Sequence, residues 1–287
     1  MIALDKGIGL AAVYLIDHAK SGATYKNKYI CDRTSEDILI MGSSRGVHHY
    51  DPRIIQDSLR LSCYNCSYEG CGSITALGLL QVMKERHLPK IIIYDVYPRF
   101  DYLDIGDDYS KYLGSLKYFY DRKGVDSLFQ IACPSERWKM KSWIYRLNQT
   151  SLQIVADNIT ADRGGYFCGY APKSGKMKQD VNVNEYTTND IDPIKAKCFN
   201  GIIQLCKENN VTLILCASPC YKRSSDHEFE YVRKIAISND IPFYSHFCDQ
   251  DYSFNIDYFY DSVHMNEDGA TLFTKRIIKE IRPQLQF

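Results

Sequence analysis

Asp37-Ile-Leu-Ile-Met-Gly-Ser-Ser-Arg45 passes in nine residues from an acid, through four apolar side chains, to a small polar cluster. A short continuous apolar run closed by turn residues is the pattern of a strand buried on both faces, as in a parallel sheet. Two further stretches repeat it, Lys90-Ile-Ile-Ile-Tyr-Asp-Val96 and Val211-Thr-Leu-Ile-Leu-Cys-Ala217, and two shorter ones, Leu61-Ser-Cys-Tyr-Asn65 and Ile241-Pro-Phe-Tyr-Ser245, complete a set of five. Amphipathic segments over residues 51–59, 74–86, 193–209, 227–238 and 266–281 fall after these runs, the last with Asn266 as N-cap. Strands alternating with crossover helices predict an α/β protein, a three-layer α/β/α sandwich around a five-stranded, mainly parallel sheet.

The remaining segments are read against that frame as one domain over residues 1–287. Residues 107–160 are aromatic and helical in pattern with no convincing strand, and predict a helical insertion. Residues 161–192, rich in Gly, Lys, Asn, Asp and Thr, exceed an ordinary loop and predict an exposed excursion of the length of a substrate lid. The apolar stretch 7–16 falls short of the roughly 20 residues that a bilayer requires, so it reads as a short helix or as the remnant of a longer membrane anchor upstream of Met1.

The 35 basic and 35 acidic residues balance, which gives no nucleic-acid footprint. The 23 tyrosines suit either a carbohydrate-binding cleft or half-exposed core positions, with core filling preferred. Eleven cysteines leave at least one thiol unpaired or intermolecular, and a chain this long does not need disulfide staples. Cys63-x-x-Cys66 lies in an apparent strand with no second ligand pair, so both residues read as buried small hydrophobes. His48 and His49 are adjacent, about 100° apart on a helix, and a shared metal ion is not expected. No metal or cofactor is proposed.

In open parallel sheets ligands bind at the carboxyl ends of strands. Three polar clusters fall there or in loops able to reach that end: Gly42-Ser-Ser-Arg45, Asn65 to Gly70, and Asp261-Ser-Val-His264. A serine becomes a useful nucleophile when a histidine takes its proton and a carboxylate fixes that histidine's tautomer, roles that Ser44, His264 and Asp261 can fill. Gly42-Ser-Ser-Arg-Gly46 also fits the G-x-S-x-G elbow of α/β-hydrolases. That fold, however, places its serine after several strands and its acid well ahead of the histidine.

A serine after the first strand, Asn-x-x-x-x-Gly after the second, and Asp-x-x-His before the last helix resembles the block order of the SGNH (GDSL-like) hydrolases, whose fold is flavodoxin-like. Ile38-Leu-Ile-Met-Gly-Ser-Ser44 is similar to the family's Gly-Asp-Ser block, with Ser43 in place of the Asp. Asn65-Cys-Ser-Tyr-Glu-Gly70 is similar to the second block, whose glycine amide serves the oxyanion hole. The third block's Gly-x-Asn-Asp is absent, and Tyr94-Asp-Val-Tyr-Pro-Arg-Phe-Asp101 stands there. Arg99 in that place would stabilise the oxyanion or grip an anionic substrate group; equally, it would pair with Asp95 or Asp101. The resemblance implies an oxyanion hole of the Ser44 and Gly70 amides with help from Arg99. Arg45 is expected either to contact substrate or to lie on a helix surface.

By the same resemblance the chemistry is acyl transfer from a small O-acyl ester, preferably an O-acetyl group on carbohydrate. Water as acceptor gives an esterase and a sugar hydroxyl an O-acyltransferase. The rival readings are a carbohydrate-binding or scaffold protein that kept the fold without the chemistry, and a lipid-acting esterase, for which no apolar groove is evident. Resemblance to envelope sugar-modifying enzymes points to the cell envelope, whereas the cysteines point to the cytoplasm.

Overall fold

The computed structural model describes residues 2–148, 150–159, 166–181 and 190–285. The apolar runs become strands β1 (Ile38–Gly42), β2 (Cys63–Asn65), β3 (Ile91–Asp95), β4 (Thr212–Ala217) and β5 (Phe243–Ser245). They form one sheet in the order β2-β1-β3-β4-β5, and every pairing is parallel. This is the flavodoxin-like order, whose direction of winding reverses between β1 and β3. A crevice therefore opens beyond the carboxyl ends of those two strands.

Both faces of the sheet are covered, which is why β1 and β3 show no polar alternation. Ile38, Ile40, Ile91, Ile93, Ile214 and Cys216 share a core with Ile55 of helix Pro52–Leu59 and with Phe273, Ile277 and Ile281 of helix Glu267–Ile281. On the other face Tyr94 meets Phe199 of helix Pro193–Glu208 edge-on, with ring centroids 5.8 Å apart. The helices start where side-chain acceptors satisfy first-turn amides: Asp51 accepts from Arg53 N, Asp192 from Ile194 N and Lys195 N, and Asn266 from Gly269 N. Nine of the described tyrosines lie in the core, Tyr50, Tyr94, Tyr102, Tyr112 and Tyr170 of them fully buried, and most of the others are half-buried.

The chain groups into two compact units. One, Glu36–Ser73, Pro89–Gly106 and Phe167–Phe287, holds the whole sheet. The other, Met1–Ser35, Ile74–Leu88 and Asp107–Tyr166, is helical, so the insertion groups with helices Ile2–Asp17, Gly22–Asp32 and most of Ser73–Lys84. In this unit the Asp5 carboxylate accepts from Ser142 Oγ and from the amides of Trp143 and Ile144, while Ala12, Ile16, Leu147 and Ile154 form a small core. The apolar stretch 7–16 is thus part of a packed 16-residue helix. Among the described residues no helix is long and apolar enough to cross a membrane.

The excursion over 161–192 is described only at 166–181 and 190–192; its other residues lie outside the described ones. Residues 167–177 are tied down and not a free excursion: Asn65 N donates to Cys168 O, Ala171 N to Val47 O, Met177 N to Phe259 O, and Glu267 N to Lys173 O. Tyr170 is fully buried there.

Candidate active site

β1 ends at Gly42, whose φ of +147° disfavours a side chain and where a Cβ would lie 2.7 Å from the Asp95 carbonyl oxygen. The chain then turns through buried Ser43 into helix Ser44–His49, with Val47 N donating to Ser43 O at 3.1 Å. Ser44 is the first residue of that helix and half-buried. It stands at the β1–β3 crevice.

Before helix Glu267–Ile281 the chain makes a tight Asx turn, in which Asp261 Oδ1 accepts from the amides of Val263 and His264, each at 2.8 Å. Across this turn His264 Nδ1 lies 2.9 Å from Asp261 Oδ2, and His264 Nε2 lies 2.7 Å from Ser44 Oγ. A carboxylate only accepts, so the ring proton sits on Nδ1; Nε2 is then the acceptor, and the Ser44 hydroxyl donates to it. Burial pushes the Asp261 carboxyl up, but the His264 ring and the two amides outweigh it and hold the group down at about 2. Three residues, two of them 220 positions apart in sequence, thus form an ionised carboxylate, an oriented imidazole and a hydroxyl in one chain of hydrogen bonds.

The loop after β2 is shaped from below. Asn65 is fully buried, its Nδ2 donating to Gly46 O at 2.7 Å and to Tyr50 O at 3.2 Å, and its Oδ1 accepting from Ser67 N. These bonds anchor the loop to helix Ser44–His49 and its C-cap residue Tyr50. Gly70, at its exposed tip, takes φ +65°.

The segment after β3 closes on itself. Asp101 accepts from Tyr94 OH and Tyr97 N, both at 2.6 Å, and burial pushes its carboxyl up to about 7. Asp95 Oδ1 accepts from Tyr50 OH and Ser218 N. Neither acid pairs with Arg99: its carbonyl accepts from the buried Lys195 ammonium, while its exposed side chain has no ion pair among the described residues.

Arg45 corrects both readings of it. Its side chain is 0% exposed, so it neither meets substrate nor lies on a helix surface. Nε donates to Ser218 Oγ at 3.1 Å, Nη2 donates to Ser218 O at 2.7 Å, and Asp95 Oδ2 lies 3.5 Å from Nε. Tyr97 and Phe247 rings flank the guanidinium at 4.8 and 5.2 Å. An arginine held this way is a structural cation under the crevice floor, where removing either charge would strand the other.

Sequence reasoning weighed His48 and His49 only as metal ligands. His48 is buried, with Nδ1 2.5 Å from Ala171 O and Nε2 2.9 Å from Glu69 Oε1. Its ring meets that of His264 edge-on at 5.3 Å. The bond from His48 holds the Glu69 carboxyl down at about 2. Among the described residues no group of His, Cys, Asp and Glu could hold a metal ion, and all eleven cysteines are unbridged.

No protein-family model and no curated protein matches the chain. Its course is similar to those of solved structures, three of which follow. One, from Bacteroides fragilis, is described as an acylhydrolase: 13% identity, 89% of this chain and 90% of that one, TM-score 0.43. Another, from Desulfitobacterium hafniense, is described as a lipolytic protein of the G-D-S-L family: 8% identity, 85% and 98% covered, TM-score 0.41. The third, from Streptococcus pneumonia, is described as a platelet activating factor: 11% identity, 98% and 99% covered, TM-score 0.45.

Proposed function

We propose that the protein is a serine-dependent acyl-ester hydrolase of the SGNH type. The observation that carries this reading is the unbroken chain from Asp261 through His264 to Ser44 Oγ, with the last link at 2.7 Å. In the proposed cycle Ser44 Oγ bonds to the ester carbonyl carbon as its proton passes to His264 Nε2. The tetrahedral intermediate collapses, the ester C–O bond breaks, and His264 returns the proton to the leaving alcohol. Water, deprotonated by the same ring, then attacks the acyl-serine, releasing the acid and regenerating Ser44. Asp261 stays ionised and stabilises the imidazolium.

For the oxyanion we propose the backbone amides of Ser44 and Gly70, with the exposed Arg99 side chain in the role of the asparagine that the third block lacks. The proposed substrate is a small O-acyl, preferably O-acetyl, ester of carbohydrate. Polar groups near His264 support a hydroxyl-bearing substrate over an acyl tail: Glu69 bonds His48, whose ring meets that of His264, Tyr260 N donates to His264 O, and the Lys173 ammonium lies 5.5 Å from the Tyr260 ring centroid. A fluorophosphonate probe tests the core claim: peptide mapping should place the adduct on Ser44, and an adduct elsewhere or none overturns it. Acetate release from O-acetylated xylan against p-nitrophenyl acetate then tests the substrate class.

A further inference from the structure

His49 is fully buried behind the proposed catalytic histidine, the two rings edge-on with centroids 6.5 Å apart. Its Nε2 lies 2.9 Å from the backbone N of Met265, the residue that follows His264. A backbone N–H only donates, so Nε2 accepts and carries no proton. The ring proton is therefore on Nδ1, which donates to Ser218 Oγ at 2.8 Å. Unlike His48, His49 has no carboxylate among its hydrogen-bond partners. Burial, then the nearby charges of Arg45, His264 and His48, push its pKa down. Every observation makes this ring neutral and of one tautomer.

The Ser218 hydroxyl that sets the tautomer is itself fixed. Its oxygen also accepts from Arg45 Nε, and its backbone N–H donates to Asp95 at the end of β3. The tie from β3 and β4 thus runs through His49 to the backbone that carries His264.

We infer that His49 is a positioning residue for His264: held as the Nδ1–H tautomer by Ser218, it accepts the Met265 amide and so fixes the turn from which the catalytic ring reaches Ser44. This rests on the reading of Ser44 and His264 as nucleophile and base. A neutral neighbour also leaves His264 free to take up the serine proton without repulsion from behind. A histidine locked in this tautomer accepts the buried amide without placing a charge behind His264.

The test compares His49→Leu, His49→Gln, His49→Asn and Ser218→Ala on the full chain. Glutamine reaches as far as Nε2 and presents a carbonyl oxygen to the Met265 amide; asparagine reaches only as far as Nδ1. Leu and Asn should lower kcat on p-nitrophenyl acetate about 10- to 100-fold, the scale of a small misplacement of a catalytic group, with KM changed less than about 3-fold. Gln should recover to within about 3-fold of wild type. Equal losses in Gln and Leu, or a Leu variant with wild-type kcat, overturn the proposal. Should His49→Leu not fold, Ser218→Ala decides, because it removes the partner that holds the Nδ1 proton; kcat should fall with KM unchanged, and wild-type kcat overturns the proposal. Independently of turnover, nitrogen-15 spectra of wild-type protein should show His49 as Nδ1–H without titration between pH 5 and 9, although Arg45, His48 and His264 all face it. An Nε2–H form overturns the proposal. Wild-type protein without fluorophosphonate labelling at Ser44 overturns the serine reading instead, a result the spectra do not share.

Discussion

The turn that carries Asp261 and His264 and the turn that follows β3 are both short, polar and placed at the sheet's carboxyl end, yet they use their polar groups in opposite ways. In the first, two backbone amides and a ring nitrogen converge on one carboxylate, and the second ring nitrogen is left for Ser44. In the second, Asp101 is fully spent on Tyr94 and Tyr97, and Lys195 closes the segment through the carbonyls of Arg99 and Leu103. One turn reaches outward to Ser44 through a ring nitrogen, whereas the other is satisfied internally and leaves only the Arg99 side chain exposed. What distinguishes the first turn is the one ring nitrogen that its own hydrogen bonds leave over.

The contrast can be broken from either side. The largest effect is expected on the first turn's partner: Ser44→Ala should reduce p-nitrophenyl acetate turnover by about 10,000-fold or more. Retained turnover in that variant, with Ser43→Ala inactive, would move the nucleophile by one residue. Asp261→Ala should cost about 100- to 10,000-fold in kcat, since His264 then loses the acceptor that sets its tautomer. On the other turn, Arg99→Ala should cost about 100-fold in turnover if its side chain reaches the oxyanion, with the melting temperature unchanged because it holds no ion pair. An unchanged turnover number removes Arg99 from the mechanism and leaves the backbone amides alone.

The smallest effect is on stability. The Asp101 carboxyl titrates near 7 in the folded chain but near 4 when unfolded, so between those values the folded state alone keeps the proton. Its contribution is present below about pH 4 and is lost as pH rises through about 7. The melting temperature of wild type relative to Asp101→Asn should therefore fall from pH 4 to pH 7, and a constant difference would show that Asp101 is ionised throughout. Asp261 and Glu69, both held at about 2, contribute in the opposite sense: their stabilisation is present above the unfolded carboxyl values near 4 and is lost as pH falls towards 2.

The strands were legible because β1 and β3 are buried at every position, which leaves uninterrupted apolar runs. β5, only half-buried along its length, shrank from the five residues expected to three. Helix Gly22–Asp32 escaped notice because its mixture of Lys, Asn, Thr and Tyr gives little apolar periodicity, and Lys26 is buried within it. Ser44, Asp261 and His264 could be found because each sits in a local pattern beside a strand or helix end. The floor beneath them could not, since Asp95 meets Ser218 across 123 positions and His49 meets Met265 across 216. Such contacts follow from sheet order, and nothing in the neighbouring residues announces them. The helical unit, likewise, draws on three separate stretches of chain, so no one segment spells it out.

Gly42 has a consequence for how lineages of this chain can drift. A β-carbon there would strike the Asp95 carbonyl whatever happens at Ser44, so selection for folding alone retains the glycine. Among descendants that had abandoned ester chemistry, position 42 would stay invariant while positions 44, 261 and 264 diverged. The glycine ahead of the serine is thus a signature of how closely β1 and β3 approach each other, whereas on the proposed reading it is Ser44, Asp261 and His264 that would keep a record of catalysis.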